Sequence, residues 1–177
     1  MSEHADNRTA GAPADRAAEP AAGPATGPAA QAEEILKPEL NVALLRRRLA
    51  EWLEEDAGGG DVTSWSVIPA EAVTRGIIHM KEDAVLAGLP VAREVFRLAD
   101  PELAFVPRAA EGGFAARGTV IAEVSGRARS ILTAERLALN LLQRMSGIAT
   151  ATRRFVEAVR DIPGVRIVDT RKTTPGH

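Results

Sequence analysis

The residues with the most chemistry per position stand at the carboxyl end, in "VRIVDTRKTTPGH". Arg171 and Lys172 are adjacent, and threonines surround them at 170, 173 and 174. Arginine offers a planar fork of N–H donors matched to carboxylate or phosphate, and lysine a compact point charge. Side by side, the two suit a ligand carrying several negative groups; as loop charges in water they would have no ligand. Val165, Ile167 and Val168 precede them and read as a short buried β-strand. A strand that delivers polar groups at its carboxyl end is where α/β enzymes place their chemistry.

A second set lies upstream. Arg136, Asn140 and Gln143 recur at i, i+4 and i+7, which puts them on one face of a helix. Leu137, Leu141, Met145 and Ile148 define a neighbouring apolar face. Thr133 reads as the N-cap of this helix, with Glu135 in its first turn. Gly147 disfavours a helix interior and predicts a break, with a second helical stretch from about Ala151 to Val159 ending at Pro163-Gly164.

Other candidates carry less. "DAGGGDVT" brackets three glycines between Asp56 and Asp61 and could cradle a phosphate or a metal, but it lacks the lysine of a P-loop. Asp61 or Thr63 capping a turn is the simpler reading. His79 has apolar neighbours and no second histidine at ligand spacing, so it reads as a core or sheet-face residue. Arg46, Arg47 and Arg48 sit opposite Leu44, Leu45, Leu49, Trp52 and Leu53, as a solvated helix face paired with nearby glutamates does.

The elements that must position these groups follow from the rest of the chain. Residues 1–33 are rich in Ala, Pro and Gly, with little that is large and apolar, and read as a disordered tail. From 34 to 143 the pattern is a helix with Pro38 in its first turn and Gly58–Gly60 at its end, then strands. A helix started by Pro90 follows, then a β-rich section turning at Gly112, Gly113 and Gly118, running into the long helix. Residues 144–177 give helix, turn, strand and polar loop, the rhythm of a parallel α/β unit. The fold class expected is an α+β N-terminal domain followed by the first helix–strand unit of an incomplete α/β barrel.

Bulk properties narrow the function. The net charge of −2 and an aromatic content of 3% offer neither a basic field nor a stacking surface for nucleic acid. With zero cysteines there are no disulfides and no thiolate metal ligands. No apolar run has membrane-spanning length and the amino terminus lacks a signal-peptide core, so a cytoplasmic protein is expected.

"GGGDVT", "AGL", "TAERLALNLLQRMSGIATAT" and "DTRKTTPG", in this order and at these separations, resemble the quinolinate phosphoribosyltransferase family, also called nicotinate-nucleotide pyrophosphorylase (carboxylating). The match runs from about Leu36 to Gly176. The resemblance implies an enzyme that joins quinolinate to 5-phosphoribosyl 1-pyrophosphate with Mg²⁺, releasing nicotinate mononucleotide, pyrophosphate and CO₂ in NAD synthesis. It also implies a homodimer. Thr170, Arg171 and Lys172 match the family's loop against the pyridine dicarboxylate and the phosphoribosyl group, and Arg136 matches an arginine donated to the neighbouring subunit's site.

Family members continue well past this loop, with most barrel strands, a His-Arg pair, another lysine and acidic residues around ribose and metal. Here His177 stands where the family usually has Leu-Arg. The expectation is therefore a chain without the Mg²⁺ ligands and inactive alone. A molybdenum-transport-associated relative of the same architecture and a non-catalytic dimerisation fragment are the alternative readings. The run "AERLALNLLQRMSGIAT" sits better in the quinolinate enzyme than in the former.

Overall fold

Asn41 opens the first helix by accepting the Leu44 N–H on its side chain at 3.0 Å, which satisfies one of the free donors of the first turn. Helix α1, Val42–Ala57, then buries Leu49 and half-buries Leu45, Trp52 and Leu53, while Arg46, Arg47 and Arg48 face outward. The computed structural model describes residues 41–58, 60–170 and 172–174, of which 41 onward belong to one unit. The tail at 1–33, Pro38, Gly59, Arg171 and His177 lie outside the described residues.

The order that follows is α2 (Val62–Val67), β1 (Val73–His79), β2 (Ala84–Val85), α3 (Leu89–Ala99), β3 (Ala104–Pro107), β4 (Phe114–Ala115), β5 (Val120–Arg127) and α4 (Ala128–Ala158). The mixed helix-and-sheet pattern read from the sequence is the one observed. β5 is the centre of an antiparallel sheet ordered β1–β5–β3, with Val73 opposite Arg127 and Ala104 opposite Ser125. β2 and β4 form a separate antiparallel pair.

Helices α3 and α4 cover the sheet, and α1 lies on α3. The core between them is built from Leu49, Leu86, Val95, Phe96, Ala122, Ala134 and Ala138, all at or near zero exposure. Phe96 stacks on Phe105 with ring centroids 5.7 Å apart, joining α3 to β3. Arg46 of α1 reaches Glu94 of α3 at 2.8 Å, and Arg97 shares that carboxylate at 3.0 Å. The arginine triplet is thus a solvated face with carboxylate partners, since Arg48 also pairs with Glu51 at 2.8 Å.

Three features of the carboxyl-terminal third differ from the sequence reading. α4 is one continuous helix of 31 residues, roughly 46 Å long, and Gly147 does not break it. A glycine weakens a helix by about 1 kcal/mol, too little to interrupt one already packed for five turns on α3 and β5. Thr133 is not the N-cap. The helix starts at Ala128, directly from β5, and the Thr133 hydroxyl donates to the Arg129 carbonyl at 3.0 Å inside it.

Val165–Val168 form no strand, although their apolar pattern predicts one. Residues 165–170 are exposed and outside regular structure, with Val168 at 77%. Strand geometry needs a neighbour for its N–H and C=O groups, and no described strand lies beside this segment. Ile148, assigned to the apolar face of α4, is 60% exposed, because it lies on the side of the helix opposite Ser146 and Thr150, which hold α4 to Ala87 and Val85. Among the described residues, no helix is long and apolar enough to cross a membrane.

Candidate functional site

The loop between α1 and α2 shows why a glycine stands at position 60. Gly60 has φ of +85°, and a Cβ there would lie 2.3 Å from the Trp65 ring, so only glycine allows the indole to fold over the backbone. Asp61 then caps α2: its Oδ1 accepts the Ser64 N–H at 3.0 Å, and the Ser64 hydroxyl donates to Oδ2. These two bonds from Ser64, with a smaller contribution from the charge of Arg136, hold the Asp61 carboxyl below its usual range, against partial desolvation. The capping reading holds for this loop.

α2 is pinned onto α4 by a residue the sequence reading missed. Arg129 donates from Nε to the Ile68 carbonyl at 2.7 Å and from Nη2 to the Trp65 carbonyl at 3.0 Å, using its fork on the free acceptors of the helix's end. Asp61 therefore faces the same side of α4 as Arg136. Between the two helices lies a cleft of about 580 Å³ lined by Asp61, Ser64, Glu135, Arg136, Asn140 and Gln143, among others. The i, i+4, i+7 trio singled out in the sequence does share one surface.

Arg136 is 81% exposed, and its Nη1 stands 3.6 Å from Asp56 Oδ1 at the end of α1. Asp61 and Glu135 give the cleft two carboxylates against one guanidinium. That balance does not favour a dianion inside the cleft.

Thr170 and Lys172 lie in the exposed segment beyond α4, where the Thr170 hydroxyl oxygen accepts the Lys172 N–H at 3.3 Å. Arg171 is outside the described residues. No hydrogen bond or ion pair joins Arg136 to Thr170 or Lys172 among the described residues. Arg136 is separated from the helix end at Ala158 by about 33 Å of helix axis.

His79 closes β1 as an exposed sheet residue and lines a second cleft of about 440 Å³ with Met80, Lys81, Gln143 and Gly147. Among the described residues, no three His, Asp or Glu side chains converge as a metal-holding group. The magnesium implied by the resemblance therefore has no fitted ligand set among the described residues.

The same segments correspond to known proteins. Residues 61–146 match the model of the quinolinate phosphoribosyl transferase N-terminal domain, and residues 148–177 match that of its C-terminal domain. The chain belongs to the quinolinate phosphoribosyl transferase family. It is 48% identical over 130 residues to a probable nicotinate-nucleotide pyrophosphorylase (carboxylating) of Synechocystis, an alignment that takes in 72% of this chain and 43% of that protein. With the probable enzyme of the same name from Bacillus subtilis the identity is 39%, over 77% of this chain and 47% of the relative. The crystal structure of NadC from Streptococcus pyogenes superposes with a TM-score of 0.73 at 37% identity, covering 77% of this chain and 48% of that one. The chain thus spans somewhat less than half the length of these relatives.

Proposed function

We propose that the protein transfers a phosphoribosyl group from 5-phosphoribosyl 1-pyrophosphate to quinolinate and decarboxylates the product, giving nicotinate mononucleotide, pyrophosphate and CO₂ for NAD synthesis. One observation carries this reading: models of both domains of a single enzyme family match in order and abut at Gly147, in the middle of one unbroken helix.

The residue types suit the chemistry. Quinolinate is a dianion, and Arg171 and Lys172, with Thr170 beside them, supply cations and a hydroxyl to hold its carboxylates and aim the ring nitrogen at the anomeric carbon. The nitrogen forms the new bond to that carbon as pyrophosphate departs with the bonding pair. The ring, now cationic, stabilises the electron pair left when the adjacent carboxylate leaves as CO₂, and a proton takes its place. Negative charge on the pyrophosphate calls for Mg²⁺, and no described residue is assigned to it.

Arg136 enters this reading as a contribution to a neighbouring subunit's site in a cytoplasmic homodimer. Its exposure, its acid-rich surroundings and its distance from the end of α4 support that placement over a role within its own chain. Residues 148–177 would take up the first helix–strand unit of a barrel, Val165–Val168 forming their strand beside neighbouring strands.

Calorimetric titration of quinolinate into the protein tests the reading. Binding is expected to weaken at least about tenfold in R136A, since a hydrogen bond to a charged group is worth about 1.5–3 kcal/mol. Equal affinity in R136A would remove Arg136 from the site, and no heat in the unsubstituted protein would remove the substrate.

A further inference from the structure

Arg136 stands on the ridge between two clefts, and the carboxylates on its two sides are not equivalent. Asp61 has both oxygens engaged by Ser64. Asp56 faces it from a cleft of about 440 Å³ lined also by Trp52, Glu55 and Asn140. The Asp56 side chain is only 27% exposed, and it stands on a helix whose Leu49 is fully buried and whose Arg46 is tied to α3. The carboxylate is fixed while the guanidinium is largely in water. At 3.6 Å the pair is an ion pair without a short hydrogen bond, so it leaves the fork of N–H donors uncommitted.

We infer that Asp56 is the resting counter-ion of Arg136, a hold that an arriving carboxylate must displace. This rests on the reading of Arg136 given above. A ligand carboxylate can accept two parallel N–H bonds from the guanidinium, which Asp56 at 3.6 Å does not do, so the exchange runs toward the ligand. Asp56 thereby lowers apparent affinity for the dianion and keeps the arginine from pairing with weaker, one-point anions.

The test is a double-mutant cycle read by quinolinate titration on the unsubstituted protein, D56N, R136A and the double variant. It is joined by an NMR measurement of guanidinium rotation at Arg136 without ligand. D56N is expected to tighten quinolinate binding about two- to fivefold, the scale of an exposed ion pair. That gain disappears in the R136A background, and rotation at Arg136 speeds up in D56N. Unchanged or weaker binding by D56N, with R136A still impaired, overturns the counter-ion role while leaving Arg136 in the site. R136A binding like the unsubstituted protein overturns the Arg136 reading itself. Unchanged rotation in D56N overturns the hold, whatever the titrations give.

Discussion

Asp100 ends α3 and receives Arg127 from the end of β5 in a fork, at 2.7 Å on each oxygen, while the Glu102 N–H adds a third bond at 3.0 Å. Its side chain is 2% exposed, so it stays charged only because these donors replace water. The Arg127 bonds lead in holding its carboxyl far below the ordinary aspartate range, against the desolvation that pushes the other way. A depressed folded value means that the stabilisation is complete above about pH 4, the unfolded range, and is lost as the pH drops below it. Unfolding midpoints of the unsubstituted protein should therefore be level near neutrality and fall steeply in acid. D100N should be less stable at pH 7 and show a shallower acid slope, as urea titrations at several pH values would report. Nearby, Gly126 has φ of +141°, and a Cβ there would meet Leu103 Cδ2 at 2.6 Å. G126A is expected to cost about 1–3 kcal/mol, from backbone strain and the forced shift of Leu103, in the same denaturant measurement.

Among the elements α4 matters most to the proposed chemistry, because it carries Arg136 and leads on to the segment that holds Thr170 and Lys172. Its last tether is a pair of hydroxyls. Ser146 Oγ accepts the Ala87 N–H at 3.0 Å and donates to the Ala87 carbonyl at 3.2 Å, and Thr150 Oγ1 accepts the Val85 N–H at 2.9 Å. Beyond Thr150 the helix is solvent-exposed along nearly all its length, with Phe155 at 65%. S146A should destabilise by about 1–3 kcal/mol, since it strands two backbone groups that the Ser146 side chain now satisfies. At the neighbouring Gly147 an added Cβ would meet nothing within 4 Å, so G147A should stabilise by roughly 0.5–1 kcal/mol through helix propensity alone. Hydrogen exchange along α4 would check both in one experiment. These tethers were invisible in the sequence because Ser146 and Thr150 meet residues 59 and 65 positions away, while periodicity reports only neighbours.

Across the molecule, the mixed α and β composition, the helix on Leu49 and Trp52, the Pro90 helix and the turn at Gly112-Gly113 were all legible from local pattern. So was the shared face of Arg136, Asn140 and Gln143, because one turn of helix brings i and i+4 together whatever the tertiary context. The Val165–Val168 strand failed for a complementary reason: its apolar residues are strand material, but a ladder is a property of two segments, and none of the described strands pairs with it. Arg129 and Glu111 went unnoticed because their partners are distant backbone groups. The Glu111 carboxylate accepts the Gly88 and Leu89 N–H groups at 2.6 and 2.9 Å, capping α3 from 22 and 23 residues away.

Joint action of Arg171 and Lys172 on a pyridine dicarboxylate underlies the whole proposed reaction. Its decisive assay is pyrophosphate release, with quinolinate, 5-phosphoribosyl 1-pyrophosphate and Mg²⁺, by these residues joined to the remaining barrel of a family member, since alone they are expected to be inactive. The expected release requires quinolinate, is matched by CO₂, and falls at least about a hundredfold in the R171A/K172A variant, as the loss of two charge-assisted contacts implies. Release that ignores quinolinate, or that survives the double substitution, would contradict it.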